Sequence, residues 1–319
     1  MLHFYRIAVN SFRESIREPV YFLMLLGALL LIGHYPWMTL FVFFEQLKLV
    51  VDGALATTML FSLAVCILCA STAVSREMKN GTVLLLLSKP IPRWSFVLGK
   101  IAGIASASIL FCCICCFASV ITVYVAVDQF RMEMHLYGTF VGIVFAGCLC
   151  GLVMNFLKGV SFGEFATYAS AILVGSMMLY CLKFQAHPAL SLTDLAKALF
   201  LITPAVLIMA VIAVAFATRL DVVPVMCMCS VVFFLGLISS HLFGSSGSGN
   251  ATGILKSFLY ALIPNWQFFW MADALAVQKH IPMQYLWWCV GYALFYSVLV
   301  SAWAIVFFQH REAAGDVRN

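Results

Sequence analysis

Long apolar runs alternate with short polar breaks along almost the whole chain. A helix crossing the ~30 Å hydrocarbon core of a bilayer needs about 20 predominantly apolar residues. Eight runs meet that requirement: 20–43, 54–75, 95–126, 138–157, 165–184, 199–218, 222–243 and 286–308. The fourth and fifth form a pair, so a bundle of six spans would keep the same topology for the rest. The pattern predicts an all-α polytopic helical bundle, with one transmembrane domain covering residues 1–319.

Residues 1–19 follow a different period. Arg6, Asn10, Arg13 and Arg17 recur at i, i+4, i+7 and i+11 and share one helical face, while Ala8, Phe12 and Ile16 lie on another. A helix with one basic and one apolar face lies flat in the membrane interface. Pro19 ends this elbow helix and turns the chain into the first span.

Composition sharpens the picture. The chain is 64% hydrophobic and 10% charged, whereas soluble domains average about half apolar and a quarter charged. No room is left for a sizeable soluble domain. The apolar run after residue 19 is long enough to stay in the bilayer, so no cleavable signal is expected. Basic residues collect in cytoplasmic loops. With the N-terminus inside, Arg6, Arg13, Arg17, Arg76, Lys79, Lys89, Arg93, Lys100, Lys158, Arg219, Arg311 and Arg318 are internal. Lys48, Arg131, Lys183, Lys197, Lys256 and Lys279 are external. This two-to-one bias predicts an even number of spans and two cytoplasmic termini. The net charge of +5 thus reports orientation, and no nucleic-acid partner is expected.

Catalytic patterns are missing. There is no GxxxxGK[ST], since Leu98–Lys100 lacks the upstream glycine and the following hydroxyl, and there is no HExxH or GxSxG. The chain is therefore expected not to be an enzyme and to bind no cofactor. All twelve cysteines lie in apolar runs, and no His, Asp or Glu falls within ten residues of Cys112–Cys116. A metal site needs thiolates and a polar surround; these cysteines read as small buried hydrophobes. Glu164, Asp221 and Asp273 fall at span ends or in loops, and His241 reads as an interfacial side chain near the outer end of a span. Intramembrane charges mark ion pathways, so an ion-coupled secondary transporter is disfavoured and the energy source is expected elsewhere.

The stretch 244–285 would lie outside. It opens with a Gly/Ser-rich linker, Gly244–Gly253, and continues with Trp266, Phe268, Phe269 and Trp270, which suit an interfacial or dipping segment. Gly99, Gly103 and Ala107 recur every four residues at the start of the third span. Small residues at that spacing let helices approach closely, either within a subunit or across a dimer.

The largest cluster of positive charge is Ser75–Lys100, SREMKNGTVLLLLSKPIPRWSFVLGK, with Arg76, Lys79, Lys89, Arg93 and Lys100 against Glu77. Asn80-Gly81 is a turn signal, and Thr82 is placed to cap a short helix, VLLLLS. Leu84 to Leu87 make that helix apolar enough to need cover, from the membrane surface or from a groove on a partner. Lys89-Pro90-Ile91-Pro92-Arg93 stops it and re-aims the chain.

This loop resembles the segment after the second span of type-2 ABC transporter permeases: an acid, a Gly-Thr, a leucine run, Ser-Lys-Pro, an Arg, then Gly-Lys entering the third span. FRESIREPVYF resembles the family's elbow helix and first-span entry; ATRLDVVPVMCMCSVVFFLGLISSHLFG, IPNWQFFWMADAL and FFQHRE resemble later parts. The pair of spans at 138–184 departs from the family's usual six. The resemblance implies the permease subunit of an ABC exporter in a plasma membrane, a bacterial cytoplasmic membrane being the natural setting. It would pair with a second permease copy or paralogue and two separate ABC ATPase subunits, which would hold ATP and Mg. Residues 76–94 would be the coupling segment, with Arg76, Glu77, Gly81, Thr82, Leu84, Leu87, Lys89, Pro90 and Arg93 forming or shaping the ATPase contact. The alternatives are a scaffold that recruits an ATPase without transporting, or a secondary transporter. The Cys-, Met- and aromatic-rich spans would suit a lipid-like or amphipathic substrate, although any lipid-facing helix has that composition.

Overall fold

The computed structural model describes residues 2–38, 46–79, 93–127, 131–185, 190–243 and 260–309. Apart from one antiparallel two-residue strand pair, β1 (Ala126–Val127) with β2 (Arg131–Met132), the regular structure described is helical. Helix α1 (Leu2–Arg17) buries Ser11, Ser15 and Ile16 and exposes Arg6, Arg13 and Arg17, as its periodicity predicts. α2 (Pro19–Met38) starts on a proline, whose missing N–H costs nothing in a first turn.

Among the described residues, eight helices are long and apolar enough to cross a membrane: α2, α3 (Gln46–Lys79), α4 (Arg93–Val125), α5 (Met134–Lys158), α6 (Phe162–Phe184), α7 (Leu192–Ala217), α8 (Val222–Phe243) and α10 (Met283–Gln309). The short α9 (Ala272–Ala276) precedes α10. The pair α5 and α6 thus consists of two full-length apolar helices. Two helices start earlier than the apolar runs suggest. α3 begins at Gln46, so Lys48 and Asp52 sit inside a helix. α7 begins at Leu192 because Ser191 caps it, and its first turns carry Asp194 and Lys197. Hydropathy measures apolar length, whereas a helix continues through polar residues wherever caps and partners satisfy them.

The core centres on α4 and α7. Ile104, Phe111, Ile114, Ala118 and Ile121 of α4 and Leu201, Val206, Ile208, Met209 and Ala210 of α7 are at most 0% exposed. A helix apolar on every face belongs in such a core. Polar seams add direction between helices: Tyr21 donates to the Ala107 carbonyl at 2.8 Å, and Thr58 and Ser119 share a hydrogen bond of 3.1 Å. The α5–α6 hairpin turns through Gly159, whose φ of 64° suits a left-handed C-cap, with its N–H on the Asn155 carbonyl. It closes where Gly151 faces Ala166 and Gly147 faces Ser170. α5, α8 and α10 leave broad apolar faces exposed, including Phe156, Phe234 and Trp287.

Successive spans alternate in direction, so the bundle has two distinct ends. One carries α1, the turn 159–161 and the turn 218–221. The other carries the N-terminus of α7 and residues 264–282.

Candidate functional site

The α1 end is built around a close crossing. Gly99 and Gly103 of α4 face α1: a Cβ at Gly99 would lie 2.8 Å from Ile7 Cγ2, and one at Gly103 would lie 2.5 Å from the Ala8 carbonyl oxygen and 2.6 Å from Ser11 Cβ. The glycines therefore let the α1 backbone sit directly on α4. Ala107, one turn on, is fully buried beneath Tyr21. The small-residue stripe is occupied by this chain's own helices.

Charge then locks the crossing. Lys100, 2% exposed, places Nζ 3.2 Å from Glu14 Oε2. Arg17 Nε lies 2.6 Å from Glu164 Oε2, which also accepts from the Ser161 hydroxyl at 3.1 Å. Gly163 lies near the Ile16 carbonyl, so α1 is tied to α6 as well as to α4. On its outer face Asn10, Arg13, Glu14, Arg17, Glu18 and Pro19 line an open polar cleft of about 490 Å³.

The predicted coupling segment begins and ends on helices of this end. Arg76 and Glu77 lie in the last turns of α3, and Arg93 opens α4. Gly81, Thr82, Leu84, Leu87, Lys89 and Pro90 lie outside the described residues, as does the linker Gly244–Gly253. Trp94 is half exposed, while Ser95, Phe96 and Val97 are buried and Phe96 stacks on Phe308 of α10 at 5.6 Å. The start of α4 is thus held on two sides, by α1 and by α10.

The opposite end has its own polar centre, which the sequence reading did not single out. Asp194 accepts from Ser191 Oγ at 2.9 Å, Lys197 Nζ at 2.9 Å and the Ile281 N–H at 3.2 Å, and lies 3.1 Å from His280 Nδ1. Lys197 also donates to the Ile281 carbonyl at 2.7 Å. The spacing Ser191-x-x-Asp194 is a capping signal and was available in the sequence; the 86-residue reach to His280 was not. Beside this centre, Trp266 and Phe269 are 0% and 1% exposed. They fill the bundle and do not sit at the interface, because Gly236 of α8 admits Pro264 and the Trp266 ring. Asn265 fixes the turn, donating to Ser240 Oγ at 2.7 Å and Tyr260 at 3.1 Å.

Among the described residues of these two ends, no nucleophile is paired with a base. The arrangement offers two ordered bundle ends joined by long helices, α3 and α4, of about 50 Å each at 1.5 Å per residue. Residues 6–163 match the family described as ABC-2 family transporter protein, a range running from α1 into the first turn of α6. No curated protein matches the chain. Residues 6–163, from α1 through α5 into the start of α6, are thus similar to the ABC-2 family transporter proteins, and the eight long apolar helices mark the chain as a multi-pass membrane protein.

Proposed function

We propose that the chain is the membrane subunit of an ABC exporter, driven by separate ATPase subunits that dock at the α1 end. The observation that carries this reading is the seating of α1 on the first turns of α4, through Gly99, Gly103 and the buried Lys100–Glu14 pair. α3 and α4 flank residues 80–92, so a push on that loop enters α4 where α1 is already clamped to it. An elbow and a span moving as one body would carry the displacement of an ATPase closure into the bundle. ATP and Mg would be held by the partner, both termini would be cytoplasmic, and a second permease copy would complete the pore.

Co-expression with a candidate neighbouring ATPase tests the reading. The ATPase co-purifies, and Glu77→Lys or Arg93→Glu lowers substrate-stimulated hydrolysis in liposomes while the complex still assembles. A purified permease that never retains an ATPase overturns it. Retention with no substrate-stimulated hydrolysis in the wild type would instead identify a recruiting scaffold.

A further inference from the structure

α8 and α10 each pack on α7 but barely meet one another. Between them lies a cavity of about 500 Å³, walled by Phe216, Val232, Tyr296, Val300 and Trp303 and roofed by residues 262–264. This is within the usual range for small-molecule sites, about 300–1,000 Å³. Trp303 is 61% exposed, so the cavity opens sideways, toward lipid. From Tyr296 to Phe307 it follows α10 for about 16 Å at 1.5 Å per residue, the depth of one half of a ~30 Å hydrocarbon core.

Its one charged wall residue is Arg219, at the α1-end mouth just beyond the end of α7. The guanidinium donates to the Phe307 carbonyl, and Cζ lies 5.8 Å from the Phe307 ring centroid. No carboxylate pairs with Arg219 among the described residues. A guanidinium carries five donors in a planar fork suited to phosphate, so most of its capacity faces outward.

Apolar walls, a length of half a hydrocarbon core and a single cation at the mouth together match one extended acyl chain below an anionic headgroup. We propose that this cavity holds one acyl chain of an anionic phospholipid from the leaflet at the α1 end, with its phosphate on Arg219. The site belongs to the fold itself and holds whether or not an ATPase docks.

Native mass spectrometry of the full-length protein in detergent tests this, using phosphatidylglycerol and phosphatidylcholine of matched chains. Wild type retains one phosphatidylglycerol with about tenfold preference over phosphatidylcholine. Arg219→Gln removes the preference, and Val300→Trp, which fills the cavity, removes retention of both. Thermal melts serve as the folding control, and Arg219→Lys, keeping the charge, restores part of the preference. Preference unchanged in Arg219→Gln overturns the proposal. So does displacement of the lipid by equimolar glycerol phosphate, which would mark a bare anion site. So does a Val300→Trp protein that loses a subunit but keeps its lipid, which would mark the cavity as a contact between copies.

Discussion

Lys100 Nζ sits 3.2 Å from Glu14 Oε2, with the lysine side chain 2% exposed and the glutamate 34% exposed. The pair joins α4 to α1 across 86 residues of sequence. Desolvation offsets most of what a buried ion pair gains, whereas removing one partner leaves the other buried without its compensation. The two ends of the pair should therefore respond unequally. Glu14→Ala weakens the charge-assisted bonding of a buried ammonium and is expected to cost about 1.5–3 kcal/mol. Lys100→Met keeps the stem and removes the demand, and is expected to cost less than half as much. Thermal unfolding in detergent distinguishes them; equal losses would mean the pair contributes only packing.

The glycines beneath α1 give a sharper test. At Gly103 a Cβ meets backbone, the Ala8 carbonyl at 2.5 Å and the Phe12 nitrogen at 3.0 Å, so no rotamer change can relieve it. Gly103→Val is expected to lift α1 from α4 and open Arg6 and Arg13 to trypsin, shortening the half-life of the N-terminal segment about tenfold or more. Gly138 of α5 has nothing within 4 Å of an added Cβ. Gly138→Ala is therefore expected to stabilise by roughly 0.5–1 kcal/mol, through the lower entropy of the unfolded chain. If α1 stays protected in Gly103→Val, the crossing is looser than its geometry requires.

Trp266 and Trp288 separate core from belt. Trp266 is fully buried against Gly236 and Phe233, and Trp266→Ala is expected to cost about 3–5 kcal/mol through the cavity it leaves. Trp288 is 71% exposed on α10, and Trp288→Ala is expected to stay within about 0.5 kcal/mol in detergent. Parallel melts decide. Equal effects would place the 264–270 segment at the membrane surface, as composition alone suggests.

That segment shows where the sequence stops being legible. The eight spans and the amphipathic α1 follow from apolar length and from the spacing of Arg6, Arg13 and Arg17, which are local properties. Which aromatic residues are core is not local. Trp266 and Trp270 read alike in sequence, yet only Trp266 meets the notch at Gly236. Lys100 counted as one more basic residue of a polar loop; its burial depends on Glu14 arriving from a helix 86 residues earlier. Likewise the stripe Gly99-x3-Gly103-x3-Ala107 announces a close helix contact, but spacing carries no label for the partner, which is α1 with Tyr21 of α2.

The cluster at Asp194 makes the last prediction. Its carboxylate, 10% exposed, gathers the Ser191 hydroxyl, the Lys197 ammonium, the His280 ring and the Ile281 N–H, and so pins the entry to α10 onto the start of α7. Asp194→Ala removes every acceptor at once and leaves Lys197, 18% exposed, with only the Ile281 carbonyl. Breaking such a network from its centre is expected to cost about 3–5 kcal/mol. Asp194→Asn keeps one acceptor oxygen and loses the charge, for an expected cost of about 1.5–3 kcal/mol. Lys197→Met, which removes the ammonium but keeps the Ser191 and Ile281 bonds to Asp194, should fall below both. Hydrogen exchange over residues 272–282 reads the consequence directly: protection drops most in Asp194→Ala, less in Asp194→Asn and least in Lys197→Met. Uniform protection across the three variants would show that 272–282 is held by the burial of Ala272, Leu275 and Ile281 alone.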